Sequence, residues 1–357
     1  MNRSLASIKY NKPPALGGRR TRDVIIDFQH HYIPWSLAER HGARRGQKVN
    51  MTQGGLAKFT LHDRVYDLDA QLRDLTDSGM DTAVLSCPVG WDAPLEDCQR
   101  INDEYAAVQE KFPDRFVGLA HVPVHEGKAA LRELDRAIGN LGLRGVTIMS
   151  QIKGAPLDSR AFWDFYAKAA NLRIPIFVHP ALVPQGYAHA ADYDLLRIIA
   201  REFDLALAAT RLIAAGVLEA FPTLKVIVAH FGGGVAAIKE RLRAKAYRFG
   251  TKLPRSFDEY FDDLYFDMAG FEGGRAALQS ALTGIKPEQL VFATDYPQDF
   301  TGQLTDTGKG VGDIRTYIQD VRDLDLAPSA KEAMLGGTAA RLLGLGQRRL
   351  GDEARRS

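Results

Sequence analysis

Val24-Ile25-Ile26-Asp27-Phe28-Gln29-His30-His31 is a short apolar run that stops on polar residues, and the same form recurs along the chain. Ile174-Pro175-Ile176-Phe177-Val178-His179 stops on a histidine, and Lys225-Val226-Ile227-Val228-Ala229-His230 stops on another. Leu290-Val291-Phe292-Ala293-Thr294-Asp295 stops on an aspartate. Short, continuously apolar, β-branched runs mark strands buried on both faces, as in parallel sheets. Eight strands are predicted: 24–27, 82–86, 116–121, 145–149, 175–179, 225–230, 264–268 and 290–294. Helical patterns fill the gaps at 67–78, 96–111, 128–141, 160–171, 195–220, 234–249, 274–282 and 312–324, with a terminal helix at 329–343. This alternation predicts an α/β fold, a (β/α)8 TIM barrel. A doubly wound open sheet is the alternative, but it carries a Gly-rich first turn, and the first strand here ends in Phe-Gln-His-His.

The core of the barrel is expected over 23–345, with an extended basic arm at 1–22 and a charged tail at 346–357. The stretch from Tyr32 to about Val65 is too long for an ordinary connection. It predicts an insertion after strand 1 that reaches the barrel mouth, as a lid or a dimer contact.

The 357 residues are 45% hydrophobic and 25% charged with a formal net charge of +2, which is ordinary globular composition. Basic residues are scattered among acids, so no nucleic-acid partner is expected. No apolar run approaches a membrane span, and the N-terminus lacks an apolar signal core. Arg19-Arg20 precedes only the first strand, so a cytoplasmic location is expected. Two cysteines, Cys87 and Cys98, make neither a disulfide framework nor a metal site.

In barrels, functional groups gather at the C-terminal ends of the strands. That is where His31, His179, His230 and Asp295 fall. Alternate strand residues share a face, so Asp27, Gln29 and His31 are expected on one face and His30 on the other. Asp-x-His-x-His is a metal-binding pattern, and here Gln29 stands where a first imidazole would be. A neutral amide oxygen is a weak ligand for soft metals and a tolerable one for hard metals.

The segments 26–34, Asn102-Asp103-Glu104, 112–118, Phe177-Val178-His179-Pro180, 216–225, Ala229-His230-Phe231-Gly232-Gly233 and Thr294-Asp295-Tyr296-Pro297 together resemble the amidohydrolase superfamily. The likeness is to the amidohydrolase-2 branch that holds aminocarboxymuconate-semialdehyde, γ-resorcylate and 5-carboxyvanillate decarboxylases. The resemblance implies one divalent ion, zinc or manganese, held by Gln29, His31, His179 and Asp295. It implies catalytic roles for Asp295 and His230, with Asp295 as proton donor. Met149-Ser150 ends the fourth strand where relatives with two ions carry a bridging Lys or Glu, and Lys153 lies further into the loop.

The reaction implied is non-oxidative decarboxylation of an aromatic or unsaturated carboxylic acid. A hydrolase of C–C, ester or amide bonds on the same fold is the alternative, and a degenerate metal-free binding protein the third. The expected partner is a small-molecule carboxylate substrate, and the expected assembly a homodimer or higher homo-oligomer. Tyr32, Trp91, Phe271 and His189 are candidates to contact substrate, with Tyr187, Arg64 and Arg211 behind them. Asp27 is expected to orient its neighbours, and His41, His62, His121 and His125 to be structural.

Overall fold

The computed structural model describes residues 24–269, 274–298 and 310–345. The arm at 1–22, Phe271 and the tail at 346–357 lie outside the described residues. Eight parallel strands carry the fold: β1 Ile26–His31, β2 Thr82–Ser86, β3 Phe116–Gly118, β4 Val146–Met149, β5 Pro175–His179, β6 Lys225–Val228, β7 Leu264–Asp267 and β8 Leu290–Val291. They pair as β1-β2-β3 and as β4-β5-β6-β7-β8. Two seams join these sheets. At one, Ala120 bridges Val146, with Ala120 N–H donating to the Gly145 carbonyl. At the other, His30 bridges Tyr296, Phe28 N–H donates to the Phe292 carbonyl at 2.9 Å, and His31 N–H to the Tyr296 carbonyl at 2.7 Å. The strands therefore run in a ring, in chain order, as the alternation predicts.

Every residue of β1 is buried, including Asp27, Gln29, His30 and His31. The register slips between Asp27 and His30: Asp27 stands opposite Ala83, and His30 opposite Leu85. This bulge places one extra residue in β1. Strict alternation is thereby overturned, and Asp27 shares a side with His30 instead of with Gln29. The Asp27 carboxylate accepts from His30 Nδ1 at 2.8 Å, from Thr294 N–H at 2.9 Å and from Thr294 Oγ1 at 2.8 Å. His30 stacks on Tyr296 at 4.3 Å, and Tyr296 Oη donates to Asp74 at 2.7 Å. One buried carboxylate thus sews the first strand to the chain leaving the last.

Several elements differ from expectation. The predicted helix at 195–220 is Arg201–Ala214 preceded by a wide turn, then a break at Gly216 (φ 75°) and a short turn Val217–Ala220. The span 234–249 keeps only Lys239–Lys245 as α-helix. A helix at Phe257–Asp262 was not expected, although Ser256 and Glu259 form its capping box. The insertion holds a helix Trp35–Arg40 and an antiparallel hairpin, Val49–Gln53 with Leu56–Leu61, turning on Gly54-Gly55. Phe59 of the hairpin reaches the edge of the His31 ring at 6.2 Å. No helix among the described residues is long and apolar enough to cross a membrane.

The seam predicts the effect of one substitution. Asp27→Ala leaves two buried donors of Thr294 and one of His30 without an acceptor, each loss costing about 1–3 kcal/mol. Urea unfolding should show a loss of about 3 kcal/mol or more, and a loss under about 1 kcal/mol would mean the seam holds without Asp27.

Candidate active site

All eight strands point the same way, so their C-terminal ends share one mouth. His31 closes β1 and His179 closes β5, while His230 follows β6 and Asp295 follows β8. One ligand-type atom from each of His31, His179 and Asp295 lies within 4.8 Å of the others. Both imidazoles are oriented through Nδ1. His31 Nδ1 lies 3.0 Å from Ser86 Oγ, and His179 Nδ1 donates to the carbonyl of Pro180 at 2.9 Å. His179 thereby keeps Nε2 free to act as a ligand, and His31 turns its Nε2 toward Asp295, the kind of orientation that outer hydrogen bonds impose on metal-binding histidines. Burial, with His31 beside it, pushes the His179 pKa well below its ordinary value, so the ring is neutral.

Asp295 Oδ1 receives His31 Nε2 at 2.8 Å and Gln29 Nε2 at 2.5 Å. Burial alone would raise this carboxyl, but the His31 hydrogen bond and the nearby histidine charges prevail and hold it at about 2. It is ionised at neutral pH. Gln29 Nε2 also stands 3.3 Å from His230 Nε2, while Gln29 Oε1 is buried without a partner. With His230 protonated, its Nε2–H and the amide N–H are two donors facing each other. Turned over, its oxygen would accept from His230 and face the Asp295 carboxylate, an arrangement that a cation between them favours. Two imidazoles, a carboxylate and an orphaned amide oxygen fit one divalent ion of intermediate hardness.

His230 is held apart from this triad. Its Nδ1 meets Glu202 Oε1 at 2.8 Å, and its N–H donates to Asp267 Oδ1 at 2.7 Å. Burial works against the imidazolium, but Glu202, and then Asp295 and Asp267, outweigh it and raise its pKa to about 10. Asp267 in turn is pushed up by burial to about 7. His230 (φ 54°), Phe231 (φ 52°) and Asp295 (φ 57°) all sit in left-handed backbone. Such conformations cost about 1–3 kcal/mol each and gather at functional sites. After His230, Gly233 matters for packing: a Cβ there would lie 1.8 Å from the Glu202 carbonyl oxygen. The close approach at Gly233 is to the helix Arg201–Ala214, and it brings Glu202 to His230.

The other expected contacts divide. Trp91 stacks on His179 at 3.9 Å, meets His31 edge-on at 5.9 Å and anchors its indole N–H on Thr147 at 2.9 Å. Tyr32 is not brought to the triad. It is buried in the core and its hydroxyl donates to Glu104 at 3.1 Å. His189 is exposed on the turn Ala188–Ala190, away from the triad's contacts. Arg64 pairs with Asp74, and Arg211 pairs with Asp158 at 2.6 Å. His121 accepts from Cys87 N–H at 3.0 Å, and burial lowers it to about 3, a structural part. Glu202 and Asp267 were missed. Asp267 had a signal, since the 264–268 run also stops on an aspartate, whereas nothing in the sequence singled out Glu202.

The chain belongs to the amidohydrolase family described by the Amidohydro_2 model, which matches residues 26–345. It is 27% identical over 346 residues to the 2-amino-3-carboxymuconate-6-semialdehyde decarboxylase of Dictyostelium discoideum, covering 91% of this chain and 92% of that protein. The γ-resorcylate decarboxylase of Polaromonas sp. strain JS666 is 27% identical over 266 residues, 66% of this chain and 79% of that one. A solved 5-carboxyvanillate decarboxylase of Novosphingobium aromaticivorans, complexed with manganese and 4-hydroxy-3-methoxy-5-nitrobenzoic acid, shares the fold. Its TM-score is 0.74 at 20% identity, covering 90% of this chain and 96% of that one.

Two measurements test the site. His230 has a pKa raised from 6.5 to about 10, so its charge stabilises the fold fully below pH 6.5 and that share fades as pH climbs through about 10. In the chelator-treated protein, NMR should show His230 protonated at pH 8, with Glu202→Gln moving the midpoint down; an unmoved midpoint sinks the pairing. Gln29→Glu adds a negative charge beside the triad and should tighten manganese by about tenfold in a metal titration, one charge-assisted contact being worth ~1.4 kcal/mol or more. Unchanged affinity would place Gln29 outside the ligand shell.

Proposed function

We propose that this protein is a metal-dependent non-oxidative decarboxylase of an aromatic or unsaturated carboxylic acid. The observation that carries the reading is the division of labour at the mouth. His31, His179 and Asp295 converge as a ligand set, while His230 is kept protonated by Glu202 a few ångströms away. Gln29 is assigned to the ligand shell as its fourth member. The ion, zinc or manganese, supplies positive charge for the substrate's carboxylate and for charge that develops in the ring.

The residues of the chain account for the rest. Trp91, flat against His179, offers a wall for a planar substrate. Decarboxylation breaks the bond between the ring carbon and the carboxylate, leaves the electron pair on carbon and requires one proton there. Asp295 delivers that proton. Its own carboxyl is ionised at rest, at about 2, so it takes that proton up only with substrate bound, while the cationic His230 faces the same mouth. A poised cationic donor beside an ionised carboxylate is the arrangement that general acid catalysis requires.

The wider reading takes residues 23–345 as one catalytic unit, flanked by 1–22 and 346–357. It takes the assembly as a homodimer or higher homo-oligomer. Ile198, Phe203 and Leu207, all at least half exposed near the helix Arg201–Ala214, support a second copy as their cover. Cys87 and Cys98 are both free thiols, which accords with a cytoplasmic location.

Purified protein supplied with manganese should bind about one ion per chain and release CO2 from 2,6-dihydroxybenzoate or a related acid, with chelator abolishing turnover. His230→Asn should keep the ion and lower turnover by about 10²–10⁴-fold. Hydrolysis of an ester or amide panel without CO2 release would replace this reading with the hydrolase.

A further inference from the structure

Arg201 opens the helix Arg201–Ala214, one residue before Glu202, and its guanidinium is only partly used. Nε donates to the Leu182 carbonyl at 3.0 Å, and Nη2 donates to Leu182 at 2.5 Å and to the Lys58 carbonyl at 2.8 Å. Among the described residues no carboxylate is hydrogen-bonded to it, and Nη1 has no partner. Nor is Nη1 among the sealed polar atoms of the interior, so it keeps access to open space.

Its tethers fix where it stands. Leu182 packs with Met149, Ala181 and Trp91, and Trp91 lies on His179. Lys58 precedes Phe59, which meets the His31 ring. Glu202, next in the chain, holds His230. Arg201 is thus bounded by the neighbours of all three site histidines. Burial lowers its pKa to about 10, opposed by the charges of Asp295 and Glu202, so it is a cation at neutral pH. Its hydrogen bonds are all to carbonyl dipoles, so no carboxylate touches the cation directly. Two carbonyls from separate segments hold the planar group still, so little freedom is lost when an anion arrives.

We propose that Arg201 binds substrate: its free Nη1 anchors a substrate carboxylate at the barrel mouth. This rests on the carboxylic-acid reading above. Among cationic side chains, arginine suits the task because its planar donors match carboxylate oxygens.

The test is calorimetric titration of the full chain, supplied with manganese, with 2,6-dihydroxybenzoate and with resorcinol, the same ring without the carboxylate. Arg201→Met should weaken the acid by about 10- to 100-fold, the worth of one charge-assisted bond, and resorcinol by less than about threefold. Arg201→Lys should recover part of the loss. In turnover, KM for the acid should rise more than kcat falls. Equal weakening of acid and resorcinol, or loss of bound manganese, would assign Arg201 to holding the hairpin in place and overturn the proposal. Unchanged affinity for the acid, or a wild-type protein that prefers resorcinol, would also overturn it. Wild-type protein that binds the acid but releases no CO2 would defeat the decarboxylase reading alone, because the Arg201 result is read from the same titrations.

Discussion

The buried carboxylate of Asp27 is the contact on which the rest of the molecule depends. It gathers Thr294 through two hydrogen bonds and His30 through a third, so the first strand and the exit of the last are fastened at one point. Gln29 and His31 lie just beyond it on one side, and Asp295 follows Thr294 on the other. The hydrogen bond between His31 and Asp295 spans 264 residues of chain. Such a contact has large loop-closure entropy against it, and the Asp27 seam absorbs that cost in a fully buried place where the bonds are strong. The bulge in β1 makes this possible. It turns Asp27 toward the seam while Gln29 and His31 both still reach Asp295.

Charge is then distributed by burial and pairing. Four titratable groups meet at the mouth, and each is driven a different way. His179 is kept neutral by desolvation, and Asp295 is kept ionised by its donors. His230 is kept cationic by Glu202, and Asp267 is raised toward neutrality by its own burial. Environments that push neighbouring groups apart in acidity are what separate ligand from acid in one small volume. The left-handed backbone at His230 and Asp295 belongs to the same arrangement. It turns each side chain out of its strand and into the mouth, at a local cost that the ring of strands sustains.

Much of this was legible in the sequence because strand ends are legible. Apolar runs stopping on His179, His230 and Asp295 declared both the barrel and the mouth, since a buried parallel strand has one chemistry along its length and another where it meets solvent. What escaped is what depends on register and packing. The bulge between Asp27 and His30 leaves no composition signal, so the face of Asp27 was read wrongly. Tyr32 follows a ligand in sequence, yet the chain turns it inward to Glu104. Glu202 and Arg201 sit on a helix whose pattern is that of any amphipathic helix, and only the close approach at Gly233 delivers them to the site. The capping box at Ser256–Glu259 was a local signal that could have been used.

The ring closes between its first and last strands, and this orders the birth of the site in time. During synthesis Gln29 and His31 emerge early, and Asp27 must wait for Thr294 to appear. Until then the N-terminal strand has an open edge, and the ligand set has only its imidazoles. The mouth is therefore completed late, and a nascent chain acquires its charge-compensated centre only when most of the barrel has left the ribosome. A centre built this way reports on the integrity of the entire ring: whatever opens the seam dismantles the chemistry first.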